Sequence, residues 1–166
     1  MNTKVLKTGG DFTVMAWMKP MTIGAGPFRV IVSELGTDNA AGEFILRITD
    51  TAGIQFFRRT GVGTSIQIVT TPSTLISVGQ WYHIAAINSG GTLTLYINGT
   101  KAPVTQASGS WPGLSPTETL IGYWPTGGYF SGLIDEVHLF TQAITTAHVE
   151  QLYAEGLQGH QFVLEK

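Results

Sequence analysis

The sequence predicts an all-β domain, an antiparallel two-sheet sandwich followed by one short C-terminal helix. Three observations predict it. Apolar residues alternate with polar ones through roughly a dozen short runs, which is the period of a strand. Clusters of Gly, Asn, Asp and Pro separate those runs at regular spacing, as the turns of a sandwich require. A single helical pattern occurs, and it comes late in the chain.

Residues 12–20 are the first strand. Phe12, Val14, Ala16 and Met18 alternate with Thr13, Met15 and Trp17, and Pro20 ends the run. Both faces are apolar, so this strand is expected to be covered on both sides. A loop at 24–27 precedes a strand at 29–34, and a polar loop at 36–42 precedes another at 43–48. Turn composition at 50–53 leads to a strand at 54–59, and Gly61-Val62-Gly63 turns the chain into 65–70. The strand at 79–88 reverses at Ser89-Gly90-Gly91 into 92–97, and Asn98-Gly99 reverses it again into 101–104. Leu93, Leu95 and Ile97 share one face of that hairpin. Residues 119–122 and the opening stretch 3–6 supply two more strands. The helix is expected over 147–155, with Thr145 or Thr146 as N-cap and Gly156 as C-cap. Ala143, Ile144, Val149, Leu152 and Tyr153 would pack it down. The domain spans 1–156, and 157–166 is a tail that Phe162 and Leu164 could lay against the sandwich.

At 166 residues the chain is long enough for one domain with a sizeable core. Only 12% of residues are charged while 21 are Gly, the balance of a β-rich surface-type protein. A net charge of −2 argues against nucleic acid and against anionic membranes. The absence of cysteine excludes disulfides, thiolate metal sites and cysteine nucleophiles. No apolar run is long enough to span a bilayer, and no signal peptide opens the chain, so any targeting segment is expected outside it.

The most informative stretch is 127–140, a glycine-punctuated turn feeding one strand. Strict alternation puts Leu133, Asp135, Val137 and Leu139 on one face and Ile134, Glu136, His138 and Phe140 on the other. A carboxylate among Leu and Val is costly to bury without a cation or several hydrogen bonds. Asp135 and Glu136, facing opposite ways, could not flank one glycosidic bond as a catalytic pair must. His83, His138, His148 and His160 lack metal-like spacing, and no serine lies in a nucleophile motif. The residues therefore predict no enzyme.

Several motifs carry a family resemblance. Phe12-Thr13-Val14-Met15-Ala16-Trp17-Met18-Lys19-Pro20 resembles the opening strand of laminin G-like domains. Gly79-Gln80-Trp81-Tyr82-His83-Ile84-Ala85 and Leu93-Thr94-Leu95-Tyr96-Ile97-Asn98-Gly99 resemble the central hairpin of that family. Phe130-Ser131-Gly132-Leu133-Ile134-Asp135-Glu136-Val137 and the segment from Ala143 to Tyr153 resemble its last strand and closing helix. The resemblance covers nearly the whole chain in order. It implies a jelly-roll sandwich of the concanavalin A-like lectin/glucanase superfamily, acting as a non-catalytic module of a larger extracellular or cell-surface protein. The family usually has an earlier strand than the one at 12–20. Here only Thr3-Lys4-Val5-Leu6 precedes it, so that strand is either trimmed or replaced, for example by 161–164. A vacant slot would accept a strand from a partner.

The family often holds one structural calcium ion. The resemblance implies Asp135 as its ligand, with Asp11 and the Gly10 carbonyl as further donors. A simpler role, accepting backbone N–H bonds at a turn, is equally open to Asp135. Carbohydrate recognition needs exposed rings beside polar groups, because the C–H face of a sugar stacks on a ring while its hydroxyls seek partners. Trp111, Tyr123, Trp124 and Tyr129 lie in loop-like contexts suited to that role, and Phe57, Arg58 and Arg59 form a second aromatic and basic cluster. The competing role for such rings is to cap the ends of the sandwich. Two partner classes follow, a glycan or another protein.

Overall fold

The structure is a computed structural model that describes residues 10–24, 29–36, 41–60, 65–110, 116–124 and 128–160. Eleven strands and one helix follow in order among these residues. They are β1 Phe12–Pro20, β2 Arg29–Gly36, β3 Ala41–Ile48, β4 Ile54–Arg59, β5 Ser65–Thr70 and β6 Tyr82–Ser89. After them come β7 Thr92–Ile97, β8 Thr100–Lys101, β9 Thr105–Ser110, β10 Pro116–Ile121, β11 Gly132–Phe140 and α1 Thr146–His160. Two sheets result, one ordered β11-β1-β6-β7-β8 and the other β10-β2-β3-β4-β5-β9, and all neighbours are antiparallel. This is the jelly-roll sandwich expected of the sequence. The strand expected at 3–6, the turn at 61–63 and the tail residues Phe162 and Leu164 lie outside the described residues.

The core sits between the sheets. Phe12, Phe44 and Phe56 meet there with ring centroids 5.5–6.2 Å apart. Val14, Ala16 and Met18 of β1 join Leu46 and Ile48 of β3, Ile84 and Ala86 of β6, and Leu93 and Leu95 of β7. Each fully buried Val, Leu, Ile, Phe or Met side chain among them stabilises the fold by about 1.5–3 kcal/mol. Hairpins fix the register. Gly90 and Gly91, then Asn98 and Gly99, all at positive φ, make the two-residue turns whose twist matches paired strands.

The other face of β1 is buried too. Thr13, Met15 and Trp17 point away from the core and are covered by α1 and by residues 141–145. The buried Thr13 hydroxyl donates to Gln142 O (3.0 Å) and accepts Ile144 N–H (3.1 Å), pinning the segment that enters the helix. Thr145 caps α1, its Oγ1 accepting His148 N–H at 3.2 Å. Val149 and Ile144 then bury against Met15, Ala85, Ile87 and Tyr96.

Three elements differ from expectation. The strand expected at 101–104 is only Thr100–Lys101, because the chain leaves the sheet after the Ala102 N–H bond to Leu95 O. β9 carries no apolar alternation, so it is invisible as a strand in sequence, and only its pairing with β5 makes it one. Gly156 is not a C-cap, because α1 continues through it to His160. The reason is contact. A Cβ on Gly156 would overlap Trp17 Nε1 and stand 2.9 Å from Glu136 Oε2, so glycine is what lets the helix lie on the sheet.

That contact reverses an ordinary sign. Gly→Ala inside a helix normally gains about 1 kcal/mol. Gly156→Ala is expected instead to lose about 1–3 kcal/mol in urea unfolding, from the forced displacement of Trp17 or the helix. A raised midpoint would show that α1 does not dock in this way.

Candidate functional site

Residues 122–124 follow β10 and residues 128–131 precede β11. Phe130 N–H donates to Gly122 O at 2.8 Å and Gly128 N–H to Trp124 O at 3.1 Å, which ties the two described pieces of this loop together. Trp124 anchors the loop. It is only 8% exposed and packs on Val30, Ile45, Phe57 and Ile66, the outer face of the six-stranded sheet. Anchored in this way, the loop holds Tyr123 and Tyr129 together with ring centroids 5.0 Å apart, inclined at 36°. Tyr129 is 69% exposed. The Tyr123 phenol is held above its ordinary pKa by partial desolvation, then by the charge of Tyr129 and a hydrogen bond between the two. Of the rings expected to face a ligand, these two form an open aromatic surface while Trp124 supports it from beneath. Trp111 lies outside the described residues.

Arg58 is elsewhere. It stands on β4, three strands across from β10, nearly buried, with its Nε 3.3 Å from Gln67 Oε1. It does not join the tyrosines.

β11 departs from simple alternation. Met15 pairs with His138 but Trp17 pairs with Asp135, so two steps along β1 match three along β11. The extra residue is a β-bulge, and Glu136 takes it up at φ +45°. Ile134, Val137 and Leu139 therefore face the core, while Asp135, Glu136 and Phe140 face α1. This corrects the expectation that Asp135 shares a face with Val137 and Leu139 and that Glu136 points the other way. Asp135 is not buried among apolar groups, its side chain being 64% exposed. Both carboxylates sit against the end of α1, Asp135 Oδ2 lying 3.4 Å from His160 Nε2 and Glu136 beside Gly156 and Trp17.

Between the sheet and this end of the helix lies an aromatic stack. The His160 ring lies flat on Trp17, with centroids 4.3 Å apart and planes within 5°. Tyr153 and His83 pack on the same indole at 5.7 and 5.3 Å, and Trp81 meets His160 edge-on at 4.6 Å. His160 Nδ1 is 2.7 Å from Gly156 O. Burial first, then the nearby His138 and His160, lower the pKa of His83 to about 4. Sequence reading missed this cluster. Its one signal was a glycine four residues before a histidine inside a helical pattern, which puts both on one face of the helix.

The donors expected for calcium do not converge. Asp11 and Gly10 lie just before β1, whereas Asp135 is opposite Trp17. Six residues of strand separate them, about 20 Å. Asp11 Oδ1 accepts Gly90 N–H (2.8 Å), Gly10 O accepts from Asn88 Nδ2 (2.7 Å), and Asp135 Oδ1 accepts Glu136 N–H (2.8 Å). Among the described residues no three His, Cys, Asp or Glu gather in a metal-binding group. The three predicted ligands thus do not fit a single cation site, because the first two tie the start of β1 to the β6–β7 turn. Among these residues no helix is long and apolar enough to cross a membrane.

Comparison with known proteins places this geometry. The laminin G-type profile of the concanavalin A-like lectin/glucanases superfamily matches residues 1–150. Curated proteins yield no match. Among solved structures, the heptameric SAP-like pentraxin of Limulus polyphemus is similar at a TM-score of 0.58 and 19% identity, over 86% of this chain and 69% of that one. A Bacteroides ovatus protein to which carbohydrate binding is ascribed gives 0.58 and 22%, over 87% of this chain and 41% of its own. The sialidase of Trypanosoma rangeli gives 0.57 and 14%, over 87% and 22%. At these identities the likeness is one of fold.

The depressed His83 pKa fixes a pH dependence. A histidine kept neutral in the fold contributes stability that is full above its unfolded pKa near 6.5 and lost as pH falls toward about 4. The span corresponds to about 3 kcal/mol as an upper bound. His83→Gln is expected to flatten the stability profile between these limits, read by urea unfolding at neutral and acid pH. Parallel profiles for both proteins would show that His83 is not the group responsible.

Proposed function

Because this chain belongs to the concanavalin A-like lectin/glucanases superfamily, we propose that it is a non-catalytic recognition module whose ligand is a glycan. The observation that carries the reading is the Tyr123–Tyr129 pair, held open on a loop that Trp124 anchors. A solvent-facing ring offers the C–H face of a sugar an apolar platform, and the phenol hydroxyls offer hydrogen bonds at its rim. Closing the loop by main-chain bonds lowers the entropy lost on binding. Complex glycans are displayed mainly outside the cytoplasm, so the same reading puts the module in an extracellular or cell-surface protein.

A second reading has its own observation. Met21, Ile121, Leu133 and Tyr129 are 55–69% exposed and lie on or beside the β10–β11 edge. Large apolar side chains gathered at one edge suit a protein partner, and β11 is the outer strand of its sheet among the described residues. Hydrogen exchange separates the two: a glycan protects amides of the 122–130 loop, whereas an added strand protects amides along β11.

The test of the glycan reading is a glycan array followed by affinity electrophoresis in the matching polysaccharide. Tyr129→Ala and Tyr123→Ala are each expected to weaken retention about tenfold, equivalent to about 1.4 kcal/mol, with unfolding midpoints unchanged. No ligand on the array, or equal retention of both variants, would overturn it.

A further inference from the structure

At the opposite edge from the tyrosine loop, a cleft of about 470 Å³ opens between the two sheets. Its origin is the shortness of β8. That strand pairs only with Tyr96 and Ile97, and Ala102 N–H to Leu95 O (2.8 Å) is the last bond along the same side. The chain then crosses to the other sheet, where β9 pairs with β5 over six positions. The first half of β7 is left without an outer neighbour among the described residues. The alternation that turns Leu95 O toward Ala102 turns the N–H and C=O of Leu93 the same way, into the cleft mouth.

The lining is polar where a sandwich interior would be apolar. Val69 belongs to the core, and the period of the strand puts Gln67 on the same inward face. Their cross-strand partners are Gln106 and Ser108, which share that face. Amides and a hydroxyl thus look between the sheets, opposite Thr92 and Leu93. Thr92, Gln106 and Ser108 are exposed and Gln67 is half-buried, so their polar groups stand open to a ligand at the cleft. Arg58 orients one of them: its Nε lies 3.3 Å from Gln67 Oε1, which turns the amide nitrogen of Gln67 the other way. A Cβ at Gly91 would approach the Arg58 guanidinium to 3.3 Å, so this glycine leaves room for the arginine beside the cleft.

We propose that the cleft is a binding site for a neutral polyhydroxylated ligand, the end of a sugar chain. A hydroxyl both donates and accepts, and so do the two amides, Ser108 and Thr92. No charged side chain is among the described lining residues, and the Arg58 guanidinium beside them is engaged with Gln67. Val69 and Leu93 supply an apolar floor for the C–H face of a ring, and the volume is within the range of small-molecule sites. This extends the carbohydrate reading to a second site with its own residues.

The experiment is a titration followed by backbone and side-chain amide NMR, using glucose, galactose, mannose, N-acetylglucosamine and, as the charged comparison, N-acetylneuraminic acid. The expected result is a fast-exchange shift with at least one neutral sugar at Gly91, Leu93 and the amides of Gln67 and Gln106. Gln106→Ala with Ser108→Ala weakens that binding about tenfold or more. Thr92→Trp, at an exposed edge position, blocks it while leaving both of those residues in place. Tyr123→Ala with Tyr129→Ala leaves it unchanged. Shifts confined to 122–130 would overturn the cleft and keep the loop reading. Absence of cleft shifts with every neutral sugar, a preference for the charged sugar, or full binding by both cleft variants would each overturn the cleft proposal.

Discussion

The fold depends on covering β1 from both sides. Its inward residues meet the phenylalanine core, and its outward residues would be an exposed apolar stripe if the C-terminal helix did not lie over them. The contact that seats the helix is the flat stacking of His160 on Trp17, made possible because Gly156 brings no side chain to the indole. An indole and an imidazole stacked in a dry site add to the hydrophobic gain of covering the strand. The Trp17 N–H itself is buried without a hydrogen-bond partner among the described residues, a cost that the surrounding packing offsets.

The bulge in β11 follows from the same demand. A regular strand would turn either Ile134 or Val137 and Leu139 away from the core. One extra residue lets all three face inward and sends Asp135 and Glu136 together toward the helix. The left-handed conformation of Glu136 costs on the order of 1 kcal/mol. The gain is a third apolar contact with the core, worth more than that when buried. Adjacent acids here reflect the local geometry of an edge strand meeting a helix, and Asp135 turns one oxygen back to its own neighbour's N–H.

With β1 covered on both sides, the two sites proposed for ligands lie at the rims. At one edge β10 and β11 are joined by a loop whose tryptophan is buried so that its tyrosines can be exposed. At the other, a strand of only two residues stops short and leaves polar side chains looking between the sheets. Both arrangements use the sandwich as a frame and place chemistry where its regular pairing ends. Loops and edges vary while the frame persists, so a pentraxin and about a fifth of a sialidase chain share this frame at 19% and 14% identity.

Much of this was legible without coordinates. Alternation located β1, β4, β6 and β7, because a strand with one or two buried faces must repeat at period two. Asn98-Gly99 and Gly90-Gly91 announced their turns, because few residues tolerate positive φ. Thr145 and Thr146 together announced the start of the helix, and it is the Thr145 hydroxyl that caps it. Its end, the strand at β9 and the facing of Asp135 were decided by tertiary contact: Gly156 reads as a helix stop until Trp17 is beneath it, and 105–110 reads as a loop until β5 is beside it. Period-two counting fails at Glu136 because a bulge is set by how two strands must match across a sheet. Local chemistry determined which segments could form. Which faces they bury, and hence which tyrosines, carboxylates and amides reach solvent, depends on partners far away in sequence.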